Sequence, residues 1–292
     1  MDRWRAHHFF YHGSLDAALR HFVRPAVAEL TERRLIDRFF FIRYTLGGPH
    51  LRLRYRVAAE EPAVDEVLHG AAARFLERWR SVSALDPERI RQESRAILDQ
   101  VAEESELYYE DNSLLPFPFH PEVDRYGGPE LLEPSLDFFA VSSAQALDVI
   151  CDPAWESSGR RGAIAMRLLL RQARGFAESE KEFLSHLGYR LPVRDEVGDE
   201  IWSKADRDFE ARREIYRMLV ERELGGASVL FDAARRLSEA VRGAPPRTRW
   251  QIGHSQLHMT ANRLGFFPVQ EMHLQRILWR AAHEFLTVEV NP

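Results

Sequence analysis

The sequence predicts an α+β fold, helix-rich, with one small and mostly antiparallel sheet. Three observations point there. The stretch "RFFFIRYTLGGPHLRLRYR", residues 38 to 56, sets two β-favouring runs on either side of a Gly-Gly-Pro break, which is the pattern of a hairpin. Beyond residue 60, apolar residues recur mainly at helical spacing. With 292 residues, 45% of them hydrophobic, the chain can bury a substantial core, and no composition shift forces a division, so a single domain over 1–292 is expected.

Residues 3 to 11 mix aromatic and β-favouring types and suit a first strand. Ser14 then caps a helix with Leu15, Ala18, Leu19 and Phe22 on one face, which Pro25 should kink or restart. "RFFFIRY" is a strand, Leu46-Gly47-Gly48-Pro49 a turn, and "HLRLRYRV" a strand of period two. Residues 62 to 106 read as two helices, the second starting at Asp86-Pro87-Glu88 with proline in the first turn. "DNSLLPFPFHPEVDRYGGPE" holds four prolines and two glycines and reads as a long irregular loop. Helical patterns follow from Leu131 to about Leu187, interrupted by "SSGRRG". A further helical stretch runs from Asp199 to Val241, with Ile201, Phe209 and Leu219 inward and a break at Gly225-Gly226. Two last helices flank Gly265 and Pro268.

Charge and composition exclude several classes. A formal net charge of -5 argues against a basic surface of the kind broad nucleic-acid binding needs, so any cationic site must be local. The one cysteine, Cys151, has no partner for an internal disulfide, which fits a reducing cytoplasm. The N-terminus lacks the apolar core of a signal peptide, and no run of about 18 apolar residues is present to cross a membrane. The 12 histidines include His7, His8 and His12, yet without HExxH or a compact Cys/His set the expectation is no metal. Nothing calls for a nucleotide, flavin or other cofactor, and no GxSxG elbow supports a serine triad.

Local positive charge does occur. In "PHLRLRYR" a period-two strand sends Leu51, Leu53 and Tyr55 to one face and His50, Arg52, Arg54 and Arg56 to the other. Guanidinium groups this close repel one another unless carboxylates or an anionic ligand answer them, and their planar forks match carboxylates. The alternative is an edge strand kept soluble by charge. "HPEVDRYGG" brings Glu122, Asp124, Arg125 and Tyr126 beside two glycines that permit positive φ or close approach. "SQLHMTANR" places Ser255, His258, Asn262 and Arg263 within a few helical turns, where His258 could serve as base or acid or simply be satisfied by a neighbour. "GRRG" at 159 to 162 could hold an anion or be a solvated loop.

Taken together, "FFFIRYTLGGPHLRLRYR", "HPEVDRYGG" followed by "FFAVSS", and "SQLHMTANRLGF" with the downstream Glu271 resemble the C-terminal domain of class I lantibiotic dehydratases. That domain also occurs as free-standing thiopeptide-type bacteriocin biosynthesis proteins. The opening "WRAHHFFYHGSLDAALRHFVRPAVAEL" resembles the domain's usual start, so the likeness runs over essentially the whole chain. The resemblance implies elimination of glutamate from glutamylated Ser or Thr side chains of a ribosomal precursor peptide, leaving dehydroalanine or dehydrobutyrine. By the same resemblance, Arg52 and Arg54 of the HLRLR motif and Arg125 of the RYGG motif would grip glutamate and developing negative charge. His258 of the HMxxNR motif would transfer the proton. Asn262, Arg263, Tyr126, Ser255 and His50 would shape the substrate site.

The active cleft is expected where the hairpin, the proline-rich loop and the C-terminal helix meet. Expected partners are the precursor peptide, leader and core, and a separate tRNA-dependent glutamylating enzyme, with no direct nucleic-acid contact, no membrane, and a possible homodimer. Two rival readings stand beside this one. In thiopeptide pathways the same family shape serves as a pyridine synthase that joins two dehydroalanines by a formal [4+2] cycloaddition and expels the leader. A non-catalytic, peptide-binding subunit is the other rival.

Overall fold

A computed structural model of the chain describes residues 3–82, 85–98, 106–188, 195–224 and 228–286. Its architecture is the α+β class expected: among the described residues helices predominate, and the strands form one four-stranded, fully antiparallel sheet. The chain folds as two compact units. The first holds residues 1–121 with 147–151, and the second holds 122–146 with 152–292.

The first unit contains the sheet, in the order β2-β3-β1-β4. Strand β1 spans Trp4–Phe10, β2 Ile36–Tyr44, β3 His50–Val57 and β4 Ser113–Phe117. The hairpin β2–β3 turns at Gly47 and Gly48, whose φ values of 79° and 119° favour glycine. Pairing sets His8 opposite Arg52, Ala6 opposite Arg54, and Tyr44 opposite His50. By alternation, Phe9, Leu51, Leu53 and Tyr55 share one face. Helices cover that face: Phe9 meets Phe22 at 4.8 Å and Phe75 at 5.8 Å between ring centroids. His50, Arg52 and Arg54 lie on the other face with His8, Phe10, Phe40, Tyr44 and Phe117.

Helices α1 (Leu15–Ala18) and α2 (Arg24–Glu32) are joined by a π-turn over Leu19–Val23. Pro25 lacks an N–H and would crowd the carbonyl four residues back, and the wider turn absorbs this, so the expected kink takes the form of a π-turn. Helix α3 (Glu61–Trp79) and α4 (Pro87–Leu98) form as the proline and apolar spacing indicate. The loop expected over 111 to 130 is not wholly irregular. It contains β4 and a 3₁₀ turn at Asp124–Tyr126. Pro116 signals against a strand, but β4 is an edge with a single neighbour, β1, and an edge tolerates proline where its missing N–H faces away from the ladder.

The second unit is helical. Its helices are α5 (Pro129–Cys151, the last five residues counting with the first unit), α6 (Ser158–Phe176), α7 (Glu180–Leu187), α8 (Asp195–Ala211), α9 (Arg213–Leu224), α10 (Val229–Ala240), α11 (Pro246–Arg263) and α12 (Pro268–Leu286). "SSGRRG" does not interrupt a helix. Ser157 is the N-cap position of α6 and the glycines fall in its first turns, while the break lies just before, in a 3₁₀ turn at Pro153–Glu156. Ile201 and Phe209 are buried as expected, Leu219 is half-buried, and a break at Arg212 separates α8 from α9. The break expected at Gly225-Gly226 lies outside the described residues. Gly265, with φ 83°, and Pro268 separate α11 from α12 as the sequence indicates.

Candidate functional site

In the first unit, β3 presents its basic row in three different states. Arg56 is answered by the protein itself: its Nε and Nη2 donate to the two carboxylate oxygens of Asp37 at 2.7 Å each. That fork holds the Asp37 carboxyl below its ordinary range. Arg54 sits half-buried with its guanidinium 5.6 Å from the Phe40 ring and 5.5 Å from the Phe119 ring. Arg52 is buried, its guanidinium carbon 3.7 Å above the Tyr44 ring, and its Nε donates to His50 Nε2 at 3.1 Å. Stacking on aromatic faces favours the charged guanidinium and fixes its plane.

His50 is fully buried, and its Nδ1 lies 2.8 Å from the Gly48 carbonyl oxygen. Burial, helped by the neighbouring Arg52, pushes its pKa down to about 3. His8 stacks on His50 at 5.1 Å and on Phe117 at 3.9 Å, and its own pKa is lowered by burial first and by His50 and the arginines next. These imidazoles are therefore neutral at pH 7.

In the second unit, the 3₁₀ turn Asp124–Tyr126 ends at Gly127 and Gly128, with φ of 81° and 104°. A Cβ on Gly127 would fall 2.9 Å from the Thr248 methyl, so glycine permits the close approach of this turn to α11. There Arg125 Nε donates to Ser255 Oγ at 3.2 Å and its Nη1 pairs with Glu122 at 3.1 Å. Ser255 and His258 are three residues apart on α11 and so share a face.

His258 is half-buried, and its Nδ1 lies 2.7 Å from Glu271 Oε2. Glu271 has no solvent exposure and accepts a second bond from Gln275 Nε2 at 3.0 Å. With Nδ1–H donating to this carboxylate, the lone pair sits on Nε2, the arrangement a general base requires. One turn earlier, His254 stacks on Trp250 at 5.2 Å. Burial first, and then the proximity of His186, His258 and Arg125, lowers its pKa to about 3.

Tyr126 and Arg263 are both buried around Phe139: the Tyr126 ring meets it edge-on at 5.3 Å, and the Arg263 guanidinium lies 4.7 Å from its centroid. Asn262 is half-buried near the end of α11. The structure thus brings His50 to Arg52 within the first unit, and Arg125 to Ser255 within the second. In the sequence Glu271 figures only as part of the resemblance, without a task, and Tyr44 and His8 carry no site assignment there. Their signal is long-range: Glu271 is 13 residues and one helix away from His258, and Tyr44 meets His50 only through the hairpin register.

Among the described residues, no group of three or more His, Cys, Asp or Glu side chains could hold a metal ion. No helix among them is long and apolar enough to cross a membrane.

Comparison with known proteins agrees with this architecture. No curated protein matches the sequence. A pyridine synthase, TbtD, from thiomuracin biosynthesis superposes with TM-score 0.79 at 18% identity, covering 98% of this chain and 99% of that one. The tRNA-dependent lantibiotic dehydratase MibB from Microbispora sp. 107891 superposes with TM-score 0.68 at 19% identity, covering 99% of this chain and 29% of that one. TsrL superposes with TM-score 0.65 at 18% identity, over 97% and 95% of the two chains. These likenesses concern the fold. Residues 4–282 match the family described as lantibiotic biosynthesis dehydratase C-term, and the chain belongs to that family.

Proposed function

We propose that this protein eliminates glutamate from glutamylated Ser and Thr side chains of a ribosomally made precursor peptide, yielding dehydroalanine and dehydrobutyrine. The observation that carries the reading is His258 with its Nδ1 engaged by the buried Glu271; Arg52, Arg54 and Arg125 join it on the sequence resemblance alone. His258 Nε2 takes the Cα proton, and the electron pair left behind forms the Cα=Cβ bond. The Cβ–O ester bond breaks and glutamate leaves as a carboxylate. Arg52, Arg54 and Arg125 bind that carboxylate and the negative charge that builds on the peptide carbonyl, an effect worth about 3 kcal/mol per well-placed donor. Because the ester must already exist, a tRNA-dependent glutamylating activity acts before this one.

A second reading is favoured by the near-complete mutual coverage with the thiomuracin pyridine synthase: a [4+2] cycloaddition of two dehydroalanines with loss of the leader. That chemistry has no departing glutamate and gives the arginine set no purpose, which is why elimination comes first. Incubating the protein with glutamylated precursor and, separately, with dehydrated precursor distinguishes the two. Glutamate release with peptide dehydration supports elimination. Formation of a macrocycle with free leader identifies the cycloaddition, and an unchanged peptide in both cases leaves only a peptide-binding role.

A further inference from the structure

Arg52 is held from its side by His50, which the resemblance puts at the substrate site without a stated task, and from its face by Tyr44, which has no assignment. Arginine Nε–H can only donate and a carbonyl oxygen can only accept, so the two contacts of His50 determine its tautomer. Nδ1 must carry the proton to reach the Gly48 carbonyl, and Nε2 must carry the lone pair that receives Arg52 Nε–H. A second proton, on Nε2, would abolish the bond and set two cations against each other. The His50 ring is itself held by a stack running across the sheet: Phe117 of β4 lies 3.9 Å from His8 of β1, and His8 lies 5.1 Å from His50 of β3. From β2, Tyr44 approaches the guanidinium face at 3.7 Å and the His50 ring edge-on at 5.8 Å. Each strand of the sheet therefore contributes to fixing one side chain.

We propose that His50 and Tyr44 are positioning residues that fix the direction and plane of the Arg52 guanidinium, so that it meets the substrate carboxylate in one preset orientation. An unconstrained arginine gives up rotamer freedom on binding, and this clamp removes that freedom beforehand. A guanidinium fixed in this way can meet two oxygens of the leaving carboxylate in one bidentate arrangement. The inference rests on the elimination reading for its functional consequence, though not for the geometry of the clamp.

Two amides separate the contacts of His50. Glutamine places its terminal oxygen near the position of Nε2 and keeps an acceptor for Arg52. Asparagine places its terminal nitrogen near Nδ1 and keeps only the bond to Gly48. His50→Gln is expected to hold kcat/KM for glutamate release within about threefold of wild type, and His50→Asn to lower it about tenfold or more. Tyr44→Phe keeps the ring face and the activity, whereas Tyr44→Leu lowers kcat/KM about fivefold. A merely structural role in pinning the turn would reverse the order of the two amides. An asparagine variant equal to or better than the glutamine variant would therefore overturn the proposal, as would full activity in Tyr44→Leu. If His50→Asn does not fold, the Tyr44 pair decides. The assigned Arg52 Nε–H resonance is the second readout, expected to exchange slowly with water in wild type and His50→Gln. If wild type releases no glutamate, slow exchange retains the clamp while the elimination reading falls. Fast exchange in wild type ends the clamp whatever the activity.

Discussion

In the proposed elimination, the His258 nitrogen that takes the proton is selected by the one that does not. Glu271 holds Nδ1 from a position with no solvent exposure, and Gln275 holds Glu271. Glu271→Gln should therefore lower kcat about tenfold or more while leaving KM near wild type, because a neutral amide no longer stabilises the imidazolium formed during proton transfer. Steady-state kinetics on glutamylated peptide check this, and an unchanged kcat would remove Glu271 from the mechanism. Arg54→Ala and His258→Ala should each let glutamylated peptide accumulate with the fold intact by circular dichroism. Arg54→Lys should restore the reaction only in part, since an ammonium cannot reproduce a planar two-point grip; full turnover by the lysine variant would contradict a carboxylate fork at that position. The candidate residues themselves are legible in the sequence because Arg52, Arg54, Arg125 and His258 sit in recognisable local motifs. Of their supports, Glu271 is named by the resemblance but without its task, while Tyr44 and His8 reach them through strand register, which local spacing does not encode.

The elements show the same division between local and long-range signals. The period-two β3, the glycine turn and the two C-terminal helices can be read directly because each depends on local alternation, positive φ or a proline stop. Strand β4 is hidden by Pro116, which is harmless only because the strand is an edge, and edge position is decided by topology. The start of α6 reads as a break because serine and glycine mark helix beginnings as well as loops. Glycine has a further purpose at Gly175, inside α6. A Cβ there would lie 2.5 Å from the Phe231 carbonyl oxygen and 2.7 Å from the Ala234 Cβ, both on α10. Backbone cannot give way as a flexible side chain can, so Gly175→Ala should destabilise the protein by about 1–3 kcal/mol. Thermal unfolding measures it; an unchanged Tm would mean that α6 and α10 are not packed this closely.

Across the molecule, neutral buried histidines link the fold to pH. Burial lowers the pKa of His50 to about 3, of His186 to about 4 and of His254 to about 3, against an ordinary value near 6.5. Below 6.5 the unfolded chain takes up protons that these sites refuse, so their contribution is complete above that value and is lost as pH falls toward the folded values. Each can add a slope of up to about 1.4 kcal/mol per pH unit in that window. Urea denaturation should therefore show stability falling steeply between pH 6.5 and 4.5, and His186→Gln should make the decline shallower. A flat profile over that interval would mean that the imidazoles are hydrated. Whole-molecule class is the most legible feature of all, because helical spacing over most of the chain and a single arginine hairpin leave few alternatives to a helix-rich α+β fold.

The most direct measurement is a mass-spectrometric time course of purified protein with a peptide bearing a single glutamylated serine. Elimination should give one free glutamate for each dehydroalanine formed, with the rate abolished in His258→Ala. Intact ester after prolonged incubation, or glutamate released with serine regenerated by hydrolysis, would contradict it.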